Sequence, residues 1–385
     1  MMSEPAFHVQ ESPAKVFAMD AAGTRTELPA LWLRERCQEP ESLDVATQQR
    51  LFNPHHLDES LTLVEAELIG DQEVRLCFSD GHSGRYDLRH FADDFDDRDG
   101  LPAPRLWDSS IDFASITCDW EKIDDHDYFR DALETYLRHG VIILKNVPTD
   151  GARLVEVGET FGHVRSTNFG KYFEVCSRPA SNDLAYRSVP LAPHTDNPYR
   201  DPVPGIQLLH CLTNETTGGL STLVDSLAVA EQLRTEDPEG YRLLATVPVR
   251  FRFIDDGVEL IERRPMIHLD AMGKMDGVHY SPRLDYLPLM DEQSTKAFHR
   301  ARRRLGELFA HPDYQIQFAL GDGELMMFDN NRVLHGRTAY DQNEGFRHLQ
   351  GCYIDRDGPT GHYRAIVKQA RAFQASVSTE SVTAA

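Results

Sequence analysis

The sequence predicts a mainly β protein with flanking helices, built as a small β-rich N-terminal domain followed by a larger jelly-roll or sandwich domain. Three observations carry this. Short apolar runs bounded by turn residues recur along the 385-residue chain. Helical periodicity is confined to a few segments, which suits helices packed outside a β core. Asp93 to Arg105 is rich in Asp and Pro and divides the chain. The domains are placed at 1–95 and 107–373, with a linker at 96–106 and a small, polar, disordered tail at 374–385.

The elements follow in order. Leu61–Val64 and Val74–Phe78 alternate as strands, and Asp80-Gly81-His82 reads as a turn. Asp125 is positioned to cap a helix whose Phe129, Leu133, Tyr136 and Leu137 share one face, and Gly140 ends it. Val141–Leu144 is then a buried strand. Further strands are expected at Ile206–Cys211, Val249–Phe253, Tyr314–Phe318, Leu325–Phe328 and Leu349–Ile354. Helices are expected at Ala152–Phe161, Leu227–Leu233 and Thr295–Phe309.

The composition excludes some classes. A formal charge of −22 would be repelled by a phosphate backbone, so no nucleic-acid partner is expected. No stretch approaches the roughly 20 apolar residues of a membrane span, and residues 1–15 hold no apolar run. The six cysteines, at 37, 77, 118, 176, 211 and 352, are scattered and form no CxxC pair. The expectation is a cytoplasmic protein without disulfides.

One constellation points to chemistry. In His194-Thr195-Asp196, extended backbone turns residues 194 and 196 to the same side. His335 lies far downstream, inside Asn331-Arg332-Val333-Leu334-His335-Gly336-Arg337. Two imidazoles and one carboxylate on one face leave three positions open, the arrangement of non-heme iron(II) oxygenases. An HxD pair alone is a weak signal in a chain with 17 histidines, so the surrounding sequence matters.

That sequence contains, in order, Ala192-Pro193-His194-Thr195-Asp196, Gly205-Ile206-Gln207-Leu208-Leu209-His210-Cys211, Thr217-Gly218-Gly219, Phe328-Asp329-Asn330-Asn331 leading to Arg337, and Arg347-His348-Leu349-Gln350-Gly351. The set resembles the γ-butyrobetaine dioxygenase branch of the taurine-dioxygenase-like oxygenases, from about residue 30 to 365. The resemblance implies a double-stranded β-helix, with His194, Asp196 and His335 as Fe(II) ligands. It implies 2-oxoglutarate as cosubstrate, O2 as oxidant and ascorbate as reductant. Arg347, twelve residues past His335, matches the arginine that clamps the distal carboxylate of 2-oxoglutarate, and Ser221 the hydroxyl that shares it. A planar guanidinium fork suits that carboxylate.

The resemblance also implies a small quaternary ammonium substrate. A trimethylammonium group donates no hydrogen bond and is recognised by aromatic faces; Phe169, Phe173 and Tyr186 stand at the matching positions. At the far end of the substrate, Asp183, Asn197, Tyr199 and Arg283 are the candidates, with Arg200 behind them. Arg283, in Tyr280-Ser281-Pro282-Arg283, favours an anion richer in charge than a carboxylate. The preferred substrate is therefore 2-trimethylaminoethylphosphonate, hydroxylated at the carbon bearing phosphorus; the alternative is γ-butyrobetaine. A non-catalytic 2-oxoglutarate sensor is the reading of another class.

In the N-terminal domain, Leu31-Trp32-Leu33-Arg34-Glu35-Arg36-Cys37 and His82 match relatives that bind zinc there. Gln38, Glu39 and Ser42 stand where further thiolates belong. Four good ligands are needed for a structural zinc, so no tight zinc is expected. In relatives this domain pairs subunits, so the resemblance implies a homodimer.

Overall fold

A computed structural model describes residues 6–176 and 189–383, apart from 21, 71, 97, 151–152, 256 and 342. The chain divides into two compact units, Met1–Gly100 and Leu101–Ala385. The smaller unit holds two three-stranded antiparallel sheets. One is β1 (Ala6–Gln10), β2 (Lys15–Met19) and β3 (Arg25–Leu28); the other is β4 (Leu63–Leu68), β5 (Glu73–Phe78) and β6 (Ser83–Asp87). The expected strand at Leu61–Val64 thus begins two residues later and runs further. Val16, Leu33, Val74, Leu76, Tyr86 and Phe91 close its core.

The larger unit contains the remaining strands. These are β7 (Thr117–Asp119), β8 (Val141–Lys145), β9 (Phe173–Cys176), β10 (Leu191–His194), β11 (Ile206–Asn214) and β12 (Ser221–Asp225). Then come β13 (Val249–Asp255), β14 (Val258–Arg264), β15 (Ile267–Leu269), β16 (Met275–Val278) and β17 (Asp285–Tyr286). The last four are β18 (Gln315–Phe318), β19 (Leu325–Asp329), β20 (Val333–Arg337) and β21 (Arg347–Ile354). A six-stranded sheet runs β7-β8-β19-β11-β21-β9, and a four-stranded sheet runs β10-β20-β12-β18.

Period-two alternation assigns each strand residue to a layer. Ile143, Leu209, Met326, Phe328 and Leu349 from the larger sheet meet Leu223, Val333 and Ile316 from the smaller one, forming the inner core. The other face of the larger sheet, with Ile142, Leu144, Leu208, Met327 and Cys352, packs on Leu133 and Tyr136 of the helix His126–His139 and on Leu154, Val157 and Phe161 of Arg153–Phe161. The outer face of the smaller sheet carries Val224 and Leu334. It is covered by the helices Ser226–Glu236, Pro238–Thr246 and Glu292–Phe309. This is the jelly-roll core with helical buttresses.

Local signals act as expected at the first long helix. Asp125 accepts the Tyr128 N–H at 2.9 Å, and Gly140 ends the helix at φ 73°. The C-terminus differs from expectation: the backbone continues as a helix from Asp357 to Thr383. No Gly or Pro interrupts it after Gly361, and small residues such as Ala375 and Ser376 do not by themselves break a helix. Among the described residues, no helix is long and apolar enough to cross a membrane.

Candidate active site

The inner face between the two sheets collects the candidate residues. On β20, His335 and Arg337 share the face of Val333; on β21, Arg347, Gly351 and Tyr353 share the face of Leu349. His194 at the end of β10 pairs in register with His335, with an irregularity in the ladder between Leu191 and His194. Such a bulge re-aims side chains. The two imidazoles lie 4.5 Å apart by ring centroid. Asp196 Oδ1 is 3.3 Å from His194 Nε2 and 3.8 Å from His335 Nε2. The ligand atoms of all three residues fall within 4.8 Å of one another.

The donor set fits a metal ion. His194 Nδ1 meets the Ala192 carbonyl at 2.9 Å; donation there leaves the Nε2 lone pair for a cation. Burial pushes His335 down to about 4, so its ring is neutral near pH 7. Burial alone would raise Asp196, but the His335 and His194 rings and the Tyr353 hydroxyl outweigh it and hold the carboxyl well below its usual range.

Residue 196 is fixed from several sides. The buried Asn330 amide accepts the Asp196 N–H at 2.7 Å and donates to the Asp196 and Pro204 carbonyls at 3.0 Å each. Thr195 donates its N–H to the Tyr280 carbonyl at 2.8 Å, and its hydroxyl accepts the Tyr280 N–H at 2.9 Å. The Tyr353 hydroxyl donates to Asp196 Oδ2 at 2.7 Å. Neither Asn330 nor Tyr353 stands out in the sequence; Tyr353 becomes legible only once β21 is in register, six residues beyond Arg347 on the same face.

Arg347 is buried, and its Nε has no hydrogen-bond partner among the described residues. Burial and the neighbouring Arg337 pull it down to about 10. Among the described residues no acid pairs with it; a buried guanidinium in that state is costly, by several kcal/mol, and matches a site built to receive a carboxylate. Gly219, at φ 67°, admits it: a Cβ there would sit 3.1 Å from Arg347 Nε. Ser221, buried on β12, lies across from Arg337 in register. Gln207 was not anticipated; it is buried opposite Tyr353, with Oε1 lacking a partner.

Aromatic rings line the same face. Phe173 on β9 pairs in register with Gly351, where a Cβ would come within 2.4 Å of the Phe173 ring. The Phe173 ring lies 5.4 Å from Tyr353 and 6.5 Å from Phe169. Phe169 is also 6.5 Å from Phe253, on which Tyr199 stacks at 4.8 Å. Tyr186 and Asp183 lie outside the described residues. Asn197 and Tyr199, expected at the substrate, are joined by hydrogen bonds to Tyr353. Asn197 takes a left-handed turn at φ 54° and donates to the Tyr353 hydroxyl at 3.3 Å, and Tyr199 donates to Asn197 Oδ1 at 2.5 Å. Arg200 donates to the Asn168 side chain. Arg283 is exposed, yet its charge reaches His335.

In the smaller unit, His82 Nε2 and Cys37 Sγ meet at 3.2 Å. Glu39 lies beside them and accepts the Arg85 N–H at 2.8 Å.

Residues 108–353 match the family described as taurine catabolism dioxygenase TauD, TfdA family, and residues 13–91 match the γ-butyrobetaine hydroxylase-like N-terminal family. A γ-butyrobetaine dioxygenase from Pseudomonas sp. (strain AK-1) is 34% identical over 335 residues, covering 85% of this chain and 87% of that protein. A trimethyllysine dioxygenase from Homo sapiens is 28% identical, covering 92% and 86%. Among solved structures, an asparagine oxygenase in complex with Fe(II), hydroxyasparagine and succinate gives a TM-score of 0.49 at 19% identity, covering 59% of this chain and 79% of that one.

Proposed function

The chain belongs to the TauD/TfdA dioxygenase family, and from that premise we propose that it hydroxylates a small trimethylammonium compound with an anionic far end. It is an Fe(II)- and 2-oxoglutarate-dependent dioxygenase. His194 Nε2, Asp196 Oδ1 and His335 Nε2 would hold the iron from one side. With iron and cosubstrate bound, O2 oxidises 2-oxoglutarate to succinate and CO2, and the second oxygen atom becomes the hydroxyl of the product.

The chain's residues bind and position. Arg347 on β21, with Ser221 on β12 of the other sheet, receives the distal carboxylate of 2-oxoglutarate and satisfies a buried Nε that has no partner among the described residues. Phe173, Phe169 and Tyr353 form an aromatic wall that takes the cation and excludes water. The observation that carries the reading is this wall's adjacency to the metal ligands: Tyr353 belongs to the wall and also bonds Asp196.

γ-Butyrobetaine is the first candidate, because the 34% identical relative is a γ-butyrobetaine dioxygenase. This reverses the preference drawn from the sequence. The phosphonate is kept as a second reading by one observation, the charge of Arg283 acting on His335 from an exposed position. The test supplies the protein with Fe(II), 2-oxoglutarate and each of γ-butyrobetaine, 2-trimethylaminoethylphosphonate and trimethyllysine. Succinate and product mass are followed. A gain of one oxygen on γ-butyrobetaine at the highest kcat/KM is expected. Faster turnover of the phosphonate would install the second reading, and no hydroxylation of any of the three would overturn both.

A further inference from the structure

We propose that the Tyr353 hydroxyl is a positioning residue for the metal site, holding Asp196 so that only Oδ1 faces the two imidazoles. This rests on the metal reading above. Oδ1 is the oxygen 3.3 Å from His194 Nε2 and 3.8 Å from His335 Nε2. Oδ2 is taken at 2.7 Å by Tyr353. A carboxylate free to rotate offers both oxygens to a cation, and a second bond would occupy one of the positions that cosubstrate and O2 require.

The hydroxyl does not act alone. Tyr199 donates to Asn197 Oδ1, Asn197 Nδ2 donates to the Tyr353 oxygen, and Tyr353 donates to Asp196. All three bonds point toward the carboxylate, so each polarises the next. The far end of the chain is anchored: Tyr199 is buried and stacked on Phe253, with the planes 12° apart. The Tyr353 ring packs on Phe173. A single side chain therefore spans the metal carboxylate and the aromatic wall, and a change at one reaches the other.

The test compares the full-length wild type, Tyr353→Phe and Asn197→Gly, with His194→Ala as control. Tyr353→Phe keeps the ring, and Asn197→Gly keeps the left-handed backbone. Anaerobic Fe(II) titration gives the metal Kd, and the visible charge-transfer band of the Fe(II)–2-oxoglutarate complex reports the coordination environment. Tyr353→Phe is expected to raise the metal Kd about 10-fold or more and to shift the band. It should also lower kcat while the substrate KM changes less. Asn197→Gly, one bond further out, should move Kd and band in the same direction by a smaller factor. Wild-type Kd and band in Tyr353→Phe would overturn the proposal; if that variant does not fold, wild-type values in Asn197→Gly would do so. Failure of the wild type to bind Fe(II) more tightly than His194→Ala would overturn the metal reading itself and, with it, this proposal.

Discussion

Two clusters of ligand-type side chains in this molecule differ in what holds them. In the larger unit, His194 and His335 stand in register on adjacent strands, and Asp196 is fixed by Asn330, Thr195 and Tyr353. In the smaller unit, Cys37 follows the short helix Ala30–Glu35, and His82 sits in the β5–β6 turn, where its N–H meets Asp80 Oδ1 at 2.9 Å. There, two donors meet at 3.2 Å and the nearby acid is spent on a backbone N–H. Convergence of three donors on a ladder leaves a gap of cation size. Two donors on loops close into a hydrogen bond. Ligand residues are therefore not sufficient; neighbouring groups must keep them apart and aimed.

The largest expected effect is on the three-donor cluster. His194→Ala should abolish Fe(II) binding, and succinate release should fall to background in a coupled assay; unchanged turnover would remove the contrast. Next, Arg347→Ala should weaken 2-oxoglutarate binding by about 2–5 kcal/mol, roughly 30-fold or more, measured by titration of the Fe(II)-loaded protein. Arg347→Lys should recover only part, because an ammonium cannot make the paired contact.

Acid should sharpen the comparison. His335 has a folded-state pKa of about 4, below the ordinary 6.5. The unfolded chain takes up the proton first, so this contribution to stability is complete above about pH 6.5 and is lost as pH falls toward 4. The melting temperature of the iron-free protein should decline through that window, and His335→Asn should flatten the decline. The buried His279, depressed to about 3 mainly by burial, adds to the same limb.

The smallest effect belongs to the two-donor cluster. Cys37→Ser should cost about 1 kcal/mol of stability, read by thermal unfolding, with kcat unchanged. Metal analysis should find iron near one per chain and zinc well below one. Stoichiometric zinc lost in Cys37→Ser would erase the difference between the two clusters.

The sequence made the ligands legible because HxD and a distant histidine need only strand geometry to coincide, and because Arg347 lies twelve residues past His335. Strands such as β11, β19 and β21 were readable as apolar runs within a few residues. The supports were not. Asn330 acts through a main chain that the sequence places 134 residues away. Tyr353, Phe253 and Gln207 declare themselves only when pairing fixes which face each presents. The bond of Asn197 to Tyr353 was not legible either, because it depends on a left-handed turn that no local pattern announces. In the tail the backbone is helical to Thr383, a state that low apolarity does not announce.

Gly351 has a wider consequence. Phe173 rests on bare peptide where any side chain would intrude. The depth of the seat at that point is thus a property of the polypeptide trace, and mutation of Gly351 can make it shallower but not deeper. A roomier seat needs a displaced strand or a smaller side chain at 173.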